Sequence, residues 1–335
     1  MQKITLDKKE YEVIDVLEKI TLADSFVARP NKIGSGKGEA KLYIGNEGSV
    51  IRDFFGHNGF HLECIMIKND LIKFLDDLKY EYFSPSQKYI RSDAETLKKL
   101  WVARKENVNN LPEVLWFSIN EQEQITPPRI YVKSEHEFYE LIRELPLPNY
   151  CYLSVIKLKP LGSVSANYIY YLKLFTEYEQ GLIHNSEIEI VEKEIIIQNP
   201  NENIIQRTTR VRLGQSEYRE KVLIECPQCP ITLVNDDRLL TASHIKPFAR
   251  CSAEEQFDPK NGFMFTPTYD RLFDRGFITF LNDKRMLVSP WLSNRTRTQL
   301  NLIHLKQINE LPVDGRQKYL DYHRSTLFKG DIKDY

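Results

Sequence analysis

Short runs of apolar side chains along the first half of the chain predict a β-rich domain. Residues 41–44 and 62–67 are apolar and β-prone, and residues 150–175 alternate apolar and polar positions around a turn at residues 159–162. Period-two alternation places one side of a strand on a core and the other in solvent. These segments are therefore predicted to be strands.

Helical spacing interrupts the strand pattern of the first half at two places. Residues 69–82 repeat apolar positions every three or four residues, with Asn69 as a candidate N-cap. Residues 134–144 form a second candidate helix, capped by Ser134 with Glu137 at the capping-box position. Together with the strands, they predict a mixed α/β domain over residues 1–197.

A polar, proline-containing run at residues 198–206 separates this region from the rest of the chain. Such composition is typical of linkers between domains. We therefore expect a second domain over residues 207–335. A chain of 335 residues with 41% hydrophobic content can form a core in each of two domains.

In the second domain, the pattern predicts a strand, a loop, a short helix and another strand. The first strand ends at His244, and the helix has Thr266 as a candidate N-cap, Pro267 at its first position and Gly276 as its stop. Residues 277–281 are again apolar and β-prone. A further helix is predicted over residues 296–309 from its apolar spacing.

Net charge, cysteine content and the lengths of apolar runs indicate which partners and which cellular compartment to expect. The formal net charge of −1 does not by itself indicate a nucleic-acid binder, although a local basic face would be sufficient. Five cysteines, an odd and low number, favour a reducing compartment, and the sequence has no run of about 20 apolar residues that could span a membrane. The expected location is the cytoplasm, without membrane association.

Three polar residues lie where the predicted backbone changes direction: His244 at the strand end, Asn261 before the next apolar run, and Asp270 on the first helical turn. Residues 242–248 read Ala-Ser-His-Ile-Lys-Pro-Phe, residues 258–262 Asp-Pro-Lys-Asn-Gly, and residues 269–276 Tyr-Asp-Arg-Leu-Phe-Asp-Arg-Gly. This combination resembles the HNH (ββα-metal) endonuclease family, in the branch found in restriction endonucleases. With both flanks, the resemblance covers residues 207–330.

The resemblance implies an α+β chain with a C-terminal ββα-metal module, flanking helices and an N-terminal mixed α/β recognition domain. His244 is then the general base, since histidine ordinarily titrates near neutral pH. Asp270 is a ligand of Mg²⁺ or Mn²⁺, which prefer hard oxygen donors. Asn261 orients the loop of the base, and direct metal binding by Asn261 stays open.

One position departs from the family pattern. Many HNH nucleases carry an Asp or His immediately before the base, where this chain has Ser243. The second protein ligand of the metal is therefore open, with Asp258 and Asp274 as candidates. Asp274 follows Asp270 by one helical turn, which places both on one helix face.

Basic residues near these motifs are candidates for DNA contact, because phosphate groups attract Arg and Lys. A solvated helix face is the alternative for the run before the motifs. The candidates are Arg207, Arg210, Arg212, Arg219, Lys246, Arg271 and Arg275.

The pair Cys226 and Cys229 has the spacing of half a zinc site, but residues 265–269 lack the second pair that would complete it. The sequence favours small buried cysteines over a structural zinc. His323, in a C-terminal segment that also resembles the family, is expected to be structural.

The function predicted from these features is a restriction-type endonuclease acting on double-stranded DNA. Because one active site cuts one strand, a homodimer is expected, and a companion methyltransferase is a possible genetic partner. Two alternatives stay open: a DNA-binding protein whose HNH fold has lost cleavage, and a nuclease effector acting on RNA or without specificity.

Overall fold

The structure, a computed structural model, describes residues 3–36, 40–122, 128–162, 167–176 and 218–330. It divides into two compact units, Met1–Tyr178 and Glu179–Tyr335. The predicted linker at residues 198–206 lies outside the described residues, as do Arg207, Arg210 and Arg212. Within the described part, no helix is long and apolar enough to cross a membrane.

An eight-stranded sheet forms the centre of the first unit, in the order β1-β2-β7-β8-β4-β5-β6-β3. Strands β4 and β8 run parallel, and the other described neighbours are antiparallel. The strands are β1 Lys3–Leu6, β2 Lys9–Thr21, β3 Leu42–Asn46, β4 His61–Ile67, β5 Val114–Gln122, β6 Arg129–Lys133, β7 Cys151–Pro160 and β8 Ile169–Thr176. The strands predicted at residues 41–44, 62–67 and 150–175 are thereby confirmed.

Five helices accompany this sheet in the described residues: α1 Ser49–Phe55, α2 Lys68–Asp77, α3 Lys79–Phe83, α4 Ala94–Asn109 and α5 Glu137–Glu144. The helix predicted over residues 69–82 is present but divided in two, because Leu78 is the C-cap of α2 and the N-cap of α3. Asn69 is not a cap. Strand β4 ends at Ile67, which leads directly into α2 and occupies the N-cap position.

The predicted start of the helix at residues 134–144 is also wrong. Helix α5 begins at Glu137, and its N-cap is His136, whose ring accepts from the Phe138 amide. The Ser134 hydroxyl instead accepts from the His136 amide at 3.1 Å. Ser134 therefore closes the turn before the helix, and Glu137 is its first residue, too early for a capping box.

The second unit contains two small sheets and four helices in its described part. The strands are β9 Thr241–His244, β10 Gly262–Phe265, β11 Ile278–Phe280, β12 Arg285–Val288 and β13 Lys306–Gln307. The helices are α6, described over residues 218–225, α7 Pro267–Asp274, α8 Asn294–Gln299 and α9 Gln317–Tyr322, which continues into a π-helical turn at His323–Leu327. Strands β9 and β10 pair antiparallel, with Gly262 opposite His244, and α7 follows β10 to complete a ββα unit.

Helix α7 begins and ends where the sequence predicts. Pro267 occupies the first turn after Thr266, although the Thr266 side chain makes no capping bond. At the other end the Gly276 amide donates to Phe273 O and the Phe277 amide to Leu272 O, which is a Schellman motif. Gly276 has φ +67°, and a Cβ there would lie 2.0 Å from the Leu327 carbonyl oxygen. Only glycine fits this turn.

The helix predicted over residues 296–309 is wrong beyond its first turns. Helix α8 ends at Gln299, and Asn301 and Leu305 have positive φ angles of 51° and 63°. Lys306 and Gln307 pair with β12 instead. The hydrogen bonds available from that sheet outweigh the helical spacing of three apolar residues.

Aromatic rings fill the core of the second unit. Phe263, Phe265, Phe273 and Phe280 are fully buried and contact one another at centroid distances of 5.3–6.1 Å. His323 stacks on Phe273 at 3.9 Å, and its ring nitrogens lie 2.9 Å from Thr279 Oγ1 and 3.0 Å from Phe273 O. Burial lowers the pKa of His323 to about 3. His323 is structural, as predicted.

Candidate active site of the C-terminal unit

His244 lies at the end of β9, half-buried between two aromatic rings. Its ring is parallel to that of Tyr218, with centroids 4.1 Å apart and an interplanar angle of 11°, and it meets the Phe248 ring edge-on at 5.7 Å. Nε2 lies 3.0 Å from the Gln256 carbonyl oxygen. Because a carbonyl only accepts, the proton of the neutral ring belongs on Nε2, which leaves Nδ1 as the basic nitrogen.

Asn261 is completely buried and fastens the loop that follows His244. Its Oδ1 accepts from the Lys246 amide at 2.8 Å, while Nδ2 lies 3.1 Å from Lys246 O, 3.2 Å from Glu255 O and 3.1 Å from Cys251 Sγ. The backbone of Asn261 accepts from the Ile245 amide at 3.0 Å. These bonds suit the predicted role in orienting the loop, and they leave the side chain occupied and without access to a metal.

Asp270 and Asp274 lie one turn apart on α7, and both are half-buried. The Ser243 hydroxyl donates to Asp274 Oδ1 at 3.2 Å. Burial raises the pKa of both carboxyl groups, and the neighbouring charge of Asp270 helps to bring that of Asp274 to about 7. Ser243 and the positive charge of Arg271 act in the opposite direction on both groups. The arrangement is a partly buried carboxylate pair, and Arg275 also lowers the pKa of Asp274.

The structure thus brings together Ser243, Asp270 and Asp274, and gives His244 a different set of neighbours. Adjacent residues of a strand project to opposite faces, so the Ser243 hydroxyl and the His244 ring leave β9 in different directions. Among the described residues, no three His, Cys, Asp or Glu side chains are placed to hold a metal ion together. The pair on α7 is therefore the part of the predicted site that the structure assembles.

Asp258 lies in a different environment from this pair. Its carboxylate caps the 3-10 turn Pro259–Asn261 by accepting from the Lys260 amide at 2.8 Å, and it accepts from the Tyr319 hydroxyl at 2.6 Å. Lys318 lies 4.0 Å away. Asp258 therefore links the turn at Pro259–Asn261 to α9. It does not lie beside Asp270.

The buried cysteines follow the sequence-based expectation. Cys64, Cys151, Cys226 and Cys229 are buried, and Cys251 is half-buried against Asn261. None of the five forms a disulfide bond.

The candidates for DNA contact that lie in the described residues differ in their exposure and in their bonds to other residues of the protein. Arg219 donates to the Asp237 carbonyl oxygen, and Lys246 pairs with Glu255 at 2.5 Å. Arg271 is exposed on α7, and Arg275 is half-buried at its end. Arg271 and Arg275 are the candidates that flank the carboxylate pair.

Two contacts of the site escape sequence reasoning. Tyr218 stacks on His244, and its hydroxyl donates to Asn261 O at 3.0 Å across 43 residues of sequence. Arg316 is buried in the unit and donates to Gly262 O at 3.0 Å. Both residues come from segments distant in sequence, and no local pattern marks such contacts. The Ser243 contact with Asp274 could be predicted in part, because the sequence already marks Asp274 as a candidate metal ligand.

Comparison with known families identifies the segment that carries these residues. Residues 229–281 match the HNH_2 family model, described as HNH endonuclease. The matched segment contains β9, the loop, β10 and α7, with His244, Asn261, Asp270 and Asp274. A search of curated proteins found no match to the chain.

Proposed function

From the premise that residues 229–281 are an HNH endonuclease module, we propose that this protein is a metal-dependent endodeoxyribonuclease of restriction type. The family match supports nuclease activity on DNA. The observation that supports metal dependence is the contact of Ser243, the residue before His244, with the carboxylate pair on α7. The strand that carries the candidate base therefore also contacts the oxygen donors of the helix.

The donor set on α7 suits a divalent cation. Mg²⁺ and Mn²⁺ are held by one or two carboxylates together with water and substrate phosphate, and Asp270, Asp274 and Ser243 supply two carboxylates and a hydroxyl. Burial raises the pKa of both acids, and the charge of Asp270 raises that of Asp274 further; a bound cation would offset both effects. When bound, such an ion stabilises the negative charge that develops on the scissile phosphate and the leaving oxygen.

His244 performs the proton transfer in this proposal. The bond from Nε2 to the Gln256 carbonyl fixes the tautomer, so that Nδ1 accepts the proton of the attacking water. Tyr218 limits the rotation of the ring, and Asn261 holds the loop that provides Gln256. Each of these residues orients the base without touching the reacting atoms.

The first unit, in this proposal, recognises a DNA sequence or a modified base. Because one active site cuts one strand, cleavage of both strands requires two sites, most simply in a homodimer. A companion methyltransferase would protect the host DNA if the recognised site is unmodified.

The proposal is tested by digesting supercoiled plasmid, prepared with and without methylation, in Mg²⁺ and in EDTA. Wild-type protein should produce open-circular or linear DNA only with the metal, and His244→Ala should leave the plasmid supercoiled. If both proteins bind DNA but neither nicks it, the chain is a DNA-binding protein that has lost cleavage. A preference for RNA in the same assay would replace the restriction role with that of an RNA-directed effector.

A further inference from the structure

An aromatic and basic surface lies on the outer face of the sheet in the first unit, at the edge formed by β6 and β3. The inner face of this edge is buried through Leu42, Ile44, Ile130 and Val132. On the outer face, Tyr43 of β3 lies opposite Tyr131 of β6, with ring centroids 5.5 Å apart. Tyr43 is 40% exposed.

Three cations surround these two rings. Lys41 Nζ lies 4.9 Å from the centre of the Tyr131 ring, and the Arg129 guanidinium lies 5.9 Å from the centre of the Tyr43 ring. Lys133 follows Val132, which pairs with Leu42, so Lys133 and Lys41 lie at the same end of the strand pair. We call Lys41, Tyr43, Arg129, Tyr131 and Lys133 the outer edge cluster.

Four acidic side chains lie on or beside this part of the sheet. Glu47, which follows β3, lies 3.3 Å from Arg52, and Glu135, two residues beyond Lys133, is exposed. Glu121, on the neighbouring strand β5, projects to the other face and pairs with Arg52 at 2.9 Å. Glu63 shares the outer face but lies on β4, two strands from β6, with its carboxylate 3.5 Å from His61. Within the described residues, Arg129 and Lys133 form no ion pair, and both are exposed. The cluster is therefore a locally positive surface in a chain whose net charge is −1.

We propose that the outer edge cluster is the surface through which the first unit contacts duplex DNA. Duplex DNA is a polyanion, and a surface that carries Lys41, Arg129 and Lys133 attracts its phosphate groups. Lys41, Arg129 and Lys133 bind phosphate oxygens, while the exposed ring of Tyr43, whose hydroxyl donates to Asn46 Oδ1 at 2.8 Å, contacts sugar or groove edges. The proposal rests on the proposed action on DNA and assigns the recognition role to one surface.

The test measures binding of a fluorescein-labelled random-sequence duplex to full-length protein by anisotropy, in EDTA, so that nothing is cut. The variant Lys41→Glu/Lys133→Glu should bind at least about tenfold more weakly at low salt. Because each phosphate contact contributes about 0.9 to the slope of log affinity against log salt, the slope should fall by about 1.8. Tyr43→Ala should weaken binding with little change in slope, because it removes no charge.

Lys8→Glu/Lys9→Glu is the matched control. It makes the same change of charge at the opposite edge of the sheet, where Lys9 begins β2 and Lys8 precedes it. This control should bind within about twofold of wild type, and circular dichroism should show both variants folded. Equal weakening of the two variants, or unchanged binding by Lys41→Glu/Lys133→Glu, would overturn the proposal; the second result would fit a protein partner on this face.

Failure of this surface is distinguishable from failure of the nuclease proposal. If wild type nicks plasmid and Lys41→Glu/Lys133→Glu nicks and binds equally well, only the proposed DNA-binding surface is overturned. If the protein binds DNA through the outer edge cluster yet never nicks it, only the proposed nuclease activity is overturned.

Discussion

The aromatic ring of Tyr218 lies parallel to the imidazole of His244, with centroids 4.1 Å apart, and its hydroxyl donates to the Asn261 carbonyl oxygen 3.0 Å away. One side chain therefore contacts both the candidate base and the residue that fastens the loop of the base. Burial raises the pKa of Tyr218, so the phenol keeps its proton and its donor role through the whole range near neutrality. Tyr218 is a positioning residue in this account.

Two substitutions of Tyr218 separate the contribution of its ring from that of its hydroxyl. Tyr218→Phe keeps the stacking and loses one hydrogen bond, worth about 0.5–1.5 kcal/mol, so kcat should stay within a few-fold of wild type. Tyr218→Leu loses both contacts, and kcat should fall by more than about tenfold with little change in KM, because ring orientation governs proton transfer rather than DNA binding. Steady-state nicking kinetics measure this. Equal kcat for wild type and Tyr218→Leu would contradict the positioning role.

The carboxylate pair makes stability depend on pH in a specific direction. The pKa of Asp274 is about 7 in the folded protein, above its unfolded value of about 3.9. Between these values the folded state holds more protons, so the free energy of unfolding declines as pH rises from about 4 to 7. Without metal, Asp274→Asn should melt at a higher temperature than wild type at pH 8, and the difference should shrink toward pH 5.

Differential scanning fluorimetry in EDTA measures this dependence, with Asp314→Asn as a control, because Asp314 is an exposed carboxylate. Added Mg²⁺ or Mn²⁺ should raise the melting temperature of wild type more than that of Asp274→Asn. If wild type and Asp274→Asn melt in parallel from pH 5 to 8, burial and the charge of Asp270 do not raise the pKa of Asp274 in the folded protein.

Asn261 should contribute strongly to stability. Asn261→Ala leaves the half-buried Lys246 amide without this partner and removes the bonds to Lys246 O and Glu255 O, at a cost of about 2 kcal/mol or more. Urea denaturation measures the loss. Asn282→Ala is the control, since Asn282 is exposed and accepts only from Arg324 at 3.2 Å; a loss at Asn261 no larger than at Asn282 would mean that the loop does not depend on this amide.

The end of α7 should tolerate no side chain at Gly276. Alanine there has a left-handed φ and a Cβ in the Leu327 carbonyl, so Gly276→Ala should destabilise the protein by at least about 2 kcal/mol. Gly48→Ala is the matched control, because its Cβ meets nothing within 4 Å. Similar unfolding midpoints for the two variants would contradict the described turn.

Sequence patterns predict the local parts of this structure and miss the contacts made at long range. The ends of α7 were predictable because Pro267 and Gly276 act within a few residues of themselves. Asn69 and Ser134 failed as caps because β4 leads straight into α2 and because His136 precedes α5. The helix expected at residues 296–309 failed because pairing with β12 competes with local spacing.

The candidate site shows the same division. The sequence motifs predicted His244 at a strand end, Asn261 in the loop and Asp270 on the first helical turn, and each residue occupies that element. The contact of Asp274 with Ser243 could be predicted in part, because Asp274 is already a candidate in the sequence. The ring stacked on His244 comes from α6, and only the folded chain shows this partner.

Chemical rescue of His244→Gly tests the central claim most directly, namely that this imidazole is the base for DNA cleavage. Removing the ring leaves a space beside Tyr218 and Phe248 that free imidazole can enter. Plasmid nicking by His244→Gly with Mg²⁺ should be slower than wild type by about a hundredfold or more, and added imidazole should restore part of the rate in its neutral form. Nicking by His244→Gly at the wild-type rate would contradict the account.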